Sequence, residues 1–254
     1  MKLKLISCEV FRREFEVAIG RAKHRIEPEF IKIGMHNDPD SLRAELQARI
    51  DSTPKGAFDY ILLGYALCSR STAELQARDV PLVLFRAHDC ITVFLGSRDR
   101  YMEEFTKNPG TYYYTPGFIE RWGEVDQEKQ LESVRRQLRE AKFREYARKY
   151  GEDNARYLIE IEESWVTRYS RAVFIDMGIG DAESYRRFVR EIAERNGWSF
   201  EEIKGSWRLI DSFLSGEWGE DDFLIVPPRH RVSESFDESI MKAEPLRPDR
   251  RPGT

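Results

Sequence analysis

Three cysteines are the side chains in this sequence best suited to soft-ligand or nucleophilic chemistry. Cys8, Cys68 and Cys90 are the only thiols in 254 residues. An odd number of cysteines in a long chain does not read as a disulfide framework, and without a C-x-x-C the spacing is not a metal signature by itself. Gathered at one point, three thiols form a soft donor set. Such a set suits zinc with a fourth position open to substrate, or an iron–sulfur cluster with one iron free to bind it. A metal-free reactive thiol and three inert, packed thiols are the alternatives.

The neighbours extend the constellation. His88, two residues before Cys90, is a candidate ligand or proton carrier. Glu9 beside Cys8 is a candidate general base, or an exposed first-turn carboxylate. Asp89 is a candidate acid–base group, or the cap of the helix that follows it. Arg86 would fix an anionic substrate group. Tyr65, Tyr113 and Asp176 complete the expected substrate contacts, Tyr113 within a tyrosine run that would form a lid or pack into the core, and Asp176 at a later strand end.

Bringing distant thiols together requires a sheet. Residues 3–7 predict a strand ending at Cys8, and Phe11, Phe15, Ala18 and Ile19 share one face of a following helix. Strands are predicted at 30–35, 59–65, 80–85, 172–177, 207–210 and 223–228. The runs at 59–65 and 80–85 are apolar throughout, as in a parallel sheet buried on both faces. Helices are predicted at 41–50, 71–77, 98–105 and 182–196, with 91–95 also helical and 108–117 an aromatic loop closed by two Pro-Gly pairs. Strands alternating with helices predict an α/β fold, a mostly parallel, doubly wound, Rossmann-like sheet. In such sheets ligands bind outside the carboxyl ends of the strands, where Cys8, Cys68 and Cys90 all fall. Each also precedes an expected helix, whose N-terminus would lower the thiol pKa.

Residues 118–170 are dense in Glu, Lys and Arg, with Leu and Tyr at helical spacing. They read as a charged helical hairpin inserted into a single domain of residues 1–228. Residues 229–254, rich in Arg, Ser, Glu and Pro, read as a flexible tail. The composition, 41% hydrophobic and 34% charged, is that of a globular chain with a core. A net charge of −4 with both signs interspersed gives no electrostatic reason to expect nucleic acid or an anionic membrane as partner. The opening apolar stretch is too short for a secretory or spanning segment, so a cytoplasmic protein is expected.

Four motifs together resemble one family: Ser7-Cys8-Glu9-Val10-Phe11-Arg12, Leu63-Gly64-Tyr65-Ala66-Leu67-Cys68, Arg86-Ala87-His88-Asp89-Cys90 and Tyr113-Tyr114-Thr115-Pro116-Gly117. In this order they are similar to domain of unknown function 1638, over most of residues 1–228. The resemblance implies little chemistry and no catalytic residues. It implies a neighbourhood, since members often stand near corrinoid-dependent methyltransferases and folate-linked one-carbon enzymes. The expectation is therefore a zinc-thiolate protein in corrinoid- or folate-linked methyl transfer, a candidate methyltransferase. Cys8, Cys68, Cys90 and His88 would hold the metal, and the substrate would be a small molecule or a corrinoid protein. An iron–sulfur enzyme of dehydratase or reductase type and a non-enzymatic partner or chaperone of a corrinoid protein are the alternatives.

Overall fold

The computed structural model describes residues 1–68, 70–123, 140, 143, 144, 146–163, 169–235, 237 and 239–246. In chain order the elements are β1 (Lys2–Cys8), α1 (Arg12–Ile19), β2 (Arg25–Ile31), α2 (Pro39–Asp51), β3 (Tyr60–Gly64), β4 (Leu82–Phe85), α3 (Cys90–Leu95) and α4 (Arg98–Lys107). They continue with β5 (Thr111–Tyr114), α5 (Pro116–Gly123), α6 (Glu152–Glu163), β6 (Arg171–Asp176), α7 (Ala182–Asn196) and β7 (Ser199–Lys204). Then come α8 (Arg208–Ser215), β8 (Phe223–Val226), β9 (His230–Glu234) and β10 (Met241–Pro245). The chain divides into two compact units, Met1–Met102 with Lys204–Thr254, and Glu103–Ile203 between them in sequence. No helix among the described residues is long and apolar enough to cross a membrane.

The first unit is a mixed α/β structure around a five-stranded, mostly parallel sheet of order β2-β1-β3-β4-β8. β1 to β4 run parallel and only β8 is antiparallel. The chain moves outward from β1 to β2, then returns to build β3 and β4 on the other side of β1. The direction of growth thus reverses between β1 and β3. Side chains alternate along each strand. Ile6, Ile61, Leu63, Leu82, Leu84, Leu224 and Val226 pack with Leu42, Leu46 and Ile50 of α2 in an aliphatic layer. The rings of Phe11, Phe15, Phe85, Phe94, Phe213 and Phe223 pack in an aromatic cluster, Phe85 and Phe213 with centroids 4.2 Å apart.

Several expectations are corrected here. The apolar run at 207–210 belongs to helix α8, because Leu209, Ile210, Phe213 and Leu214 share one buried face and Gly216 ends it in the left-handed region. The second strand is Arg25–Ile31, earlier than 30–35; it lies at the sheet edge, where Pro28 removes no ladder donor the core needs. Residues 71–77 do not form a helix. Glu74 N and Ala77 N donate to Val232 and His230 carbonyls, so that segment pairs with β9 instead. The flexible tail is also overturned for 230–245, where β9 and β10 form an antiparallel hairpin that buries Val232, Ile240 and Met241.

The second unit contains more than a hairpin. It has its own three-stranded sheet, β5-β6-β7, with β5 and β6 parallel. Tyr112 to Tyr114, expected in a loop, lie in β5. Tyr114, Ile119, Ala172, Phe174, Tyr185, Val189 and Ile192 form the core under α7. Arg171, buried, donates to Glu104 at 3.1 Å and Glu201 at 2.8 Å. Of the expected 118–170 hairpin, α5 and α6 are seen; residues 124–139 and 164–168 lie outside the described residues.

Candidate functional site

Two adjacent parallel strands set the first half of the site. Ser7 of β1 pairs in register with Gly64 of β3, and its hydroxyl donates to the Gly64 carbonyl at 3.2 Å. A Cβ at Gly64 would stand 2.3 Å from Ser7 Oγ and 2.9 Å from the Phe15 ring, so only glycine fits. This close approach brings the next residues, Cys8 and Tyr65, side by side at the point where sheet growth reverses. Period-two alternation puts both on the α2 side, with Ile6 and Leu63.

The second half is a loop tied to the end of β4. Leu67 N donates to Ala87 O at 2.9 Å and Cys68 N to His88 O at 3.0 Å. Ser71 closes a turn by donating its N–H and its hydroxyl to Cys68 O. The turn holds Cys68 at φ 45°, with Arg70 and Glu74 both at 69°. These are left-handed conformations that cost an L-residue about 1–2 kcal/mol. Cys90 is the first residue of α3, which Asp89 caps by accepting from Ile91 N at 3.0 Å and Thr92 N at 3.3 Å.

All three thiols hold their protons more tightly than a free cysteine. Burial pushes Cys8 up to about 11, and the Glu9 carboxylate adds to it. Burial pushes Cys68 up to about 12, with the charges of Cys8 and Asp89 adding. Cys90 is raised well above the ordinary thiol value by burial, then by Asp89, Cys68 and Cys8. The expectation of helix-lowered thiols is reversed. Cys8 leads into a short 3-10 turn and Cys68 into a non-helical one, and desolvation outweighs the backbone N–H groups. All three are free thiols and each residue keeps partial solvent contact.

The remaining expected residues divide. Tyr65 is 3% exposed, packs in the aliphatic layer, and its hydroxyl has no hydrogen-bond partner. Burial raises its pKa, followed by the charges of Cys8 and Cys68. Asp89 caps α3 and accepts from Tyr101 Oη at 3.1 Å. Glu9 is paired with Arg12 at 3.0 Å. His88 exposes its imidazole and contributes its carbonyl to the Cys68 turn. Arg86 spends its guanidinium on backbone, donating to Phe223 O at 3.0 Å, Ser239 O at 2.9 Å and Met241 O. Tyr113 and Asp176 belong to the second unit. There Asp176 accepts from Gly178 N at 2.8 Å. Among the described residues no group of three or more His, Cys, Asp and Glu side chains stands in a ligating arrangement. Sequence reasoning missed the strained turn at Cys68 and the hairpin that pins it; neither leaves a glycine or period signal.

The family described as "Protein of unknown function (DUF1638)" matches residues 30–214. The chain belongs to that family. The match includes Tyr65, Cys68, His88 and Cys90 but not Cys8, nor the β9–β10 hairpin. No curated protein and no solved structure matches this DUF1638 chain.

Proposed function

We propose that the carboxyl edge of the five-stranded sheet is a soft-ligand site at which Cys8, Cys68 and Cys90 hold a zinc ion in the service of methyl transfer. The observation that carries this reading is placement: Cys8 ends β1, Cys68 follows β3 with its N–H bonded to His88 O, and Cys90 opens the helix after β4, on three parallel strands of one sheet. Open α/β sheets of this winding bind ligands at the carboxyl ends of such strands. A left-handed cysteine where glycine would be less strained is a second support, because the side chain must be worth the conformation.

The raised pKa values argue in the same direction. With Cys8 at about 11 and Cys68 at about 12, the thiols are protonated near neutral pH and are poor nucleophiles. Held by Cys8, Cys68 and Cys90, a divalent cation would favour their thiolate forms. Zinc would supply Lewis acidity and a stabilised thiolate nucleophile. The chain's own part is to set the three cysteines after strands of one sheet beside the α2 layer, and to keep Asp89 and Glu9 fixed by capping and pairing. His88 enters as a ligand only if its imidazole turns inward from the surface. The assignment to corrinoid- or folate-linked metabolism, with a corrinoid protein or a small methylated molecule as partner, rests on the family resemblance alone.

Elemental analysis of anaerobically prepared protein tests the proposal. About one zinc per chain is expected, lost when Cys8, Cys68 or Cys90 is changed to serine. Visible absorbance with iron and sulfide in place of zinc would move the site to a three-cysteine cluster. Metal content unaffected by all three substitutions would end the proposal.

A further inference from the structure

We infer that the β9–β10 hairpin is a releasable strap: docked, it holds the Cys68 turn closed, and undocked, it opens the Cys68 thiol to reagents in solution. No metal at the three cysteines is required. The control is conformational, which the soft-ligand reading above does not include.

Backbone strain in this molecule falls on two segments that hold each other. Among the described residues the non-glycine left-handed positions are Cys68 at φ 45°, Arg70 and Glu74 at 69°, Arg229 at 62° and Ile240 at 64°. The first three share one turn, and the last two immediately precede β9 and β10. Such conformations are unfavourable for an L-residue, most of all a β-branched one, and persist only where the surroundings over-determine them. Here the surroundings are mutual. Glu74 N donates to Val232 O and Val232 N to Leu75 O, both at 2.8 Å. Ala77 N donates to His230 O at 2.9 Å, and Arg229 N to Ala77 O at 3.0 Å. Arg231 pairs with Glu74, and Arg70 pairs with Glu234 at 2.9 Å. Arg86, just past β4, donates to the carbonyls of Ser239 and Met241. Without the hairpin, the turn would keep its strain and lose the bonds that offset it.

The hairpin is also built to come away as a unit. β9 and β10 form a two-stranded sheet of their own and do not extend the five-stranded one. A lone two-stranded hairpin is marginal in water, so its order depends on its seat. That seat is the aliphatic layer, where Val232, Ile240 and Met241 are buried and against which Cys68 also packs. The ion pairs at its edges are partly exposed and add little. Peripheral units with few apolar anchors open at free energies below that of global unfolding. Lifting this one removes the apolar cover beside Cys68 and frees the turn to leave its left-handed conformation.

The test is N-ethylmaleimide labelling of the native full chain and of Met241→Ala, read cysteine by cysteine by mass spectrometry. Met241→Ala should speed Cys68 labelling by about 30-fold or more, because it weakens the seat and not the sheet, while Cys90 keeps the parent rate. An unchanged Cys68 rate would overturn the strap. So would equal acceleration of Cys68 and Cys90, which would mean that the whole unit unfolds. Hydrogen exchange on the parent decides the matter even if Met241→Ala does not fold. The amides of Glu74, Ala77 and Val232 should exchange at one common opening free energy, lower than that of Leu62 and Leu63 in β3. Exchange of these amides only together with β3 would show that the hairpin does not lift by itself, and would end the inference.

Discussion

Each unit ends a parallel strand in a loop, which feeds helix α7 in the second unit and a non-helical segment in the first, and the two loops are built in opposite ways. In the second unit β6 ends at Asp176, whose carboxylate accepts from Gly178 N. The left-handed positions fall on Gly178 and Gly180, and Asp181 caps α7 through Ser184. Backbone strain is given to glycine and polar groups are paired. In the first unit β3 ends in a turn where the left-handed positions fall on Cys68, Arg70 and Glu74, and a buried phenol is left unpaired. Local rules are kept where the loop only connects, and broken at the thiols. Departures of that kind cluster where a structure does chemistry.

The sharpest way to break the comparison is to exchange what each loop tolerates. Gly180→Ala puts a Cβ 2.3 Å from Tyr185 Oη at φ 72°, so both backbone and ring must move. A loss of about 2–3 kcal/mol in denaturant unfolding is expected. Cys68→Gly should do the reverse, changing stability by less than about 1 kcal/mol in either direction, since relief of strain offsets the lost half-buried thiol. If Cys68→Gly costs as much as Gly180→Ala, the thiol is a packing element and the contrast fails.

A smaller effect separates the two tyrosines. Tyr185 Oη is hydrogen-bonded to the Glu120 carboxylate. Tyr185→Phe removes that donor and should cost about 1–2 kcal/mol, whereas Tyr65→Phe should cost nothing. Equal losses, read from urea midpoints of the metal-free proteins, would show that the Tyr65 hydroxyl has a partner after all.

Much of this was legible in the sequence. Continuous apolar runs at 59–65 and 80–85 identified two central strands, and the helix expected over 182–196 is α7. The strand ends are as expected, with Cys8 closing β1 and Cys68 and Cys90 following β3 and β4. What periodicity does not carry is tertiary pairing. The segment 71–77 has the composition of a helix, yet β9 captures its N–H groups from more than a hundred residues away. The apolar Leu209-Ile210 pair reads as a strand until Phe213 and Leu214 are counted with it. Arg86 looked like a substrate anchor because nothing local shows that it gathers carbonyls from the hairpin. The thiol pKa values were misjudged for a related reason: helix starts are visible in sequence, and desolvation by distant side chains is not.

That misjudged quantity gives the comparison its finest test, pH. A thiol raised in the folded protein keeps its proton there while the unfolded chain releases its own. Between the ordinary thiol value of 9.0 and the folded value of about 11 for Cys8, the native state therefore binds more protons and stability falls as pH rises. The contribution is intact below pH 9 and amounts to a loss of about 1 kcal/mol by pH 10 for this one group. Cys68, at about 12, extends the decline to higher pH. The second unit's loop has the opposite sign. Hydrogen bonds from Ser184 hold Asp181 below its ordinary range, so its contribution is present at neutral pH and fades only as acid protonates it. Metal-free protein should thus lose stability on the alkaline side through the thiol edge, and Cys8→Ser should flatten that limb while leaving the acid limb in place. An alkaline limb unchanged in Cys8→Ser would mean that this sulfur is not desolvated, and the electrostatic contrast between the two strand ends would be lost.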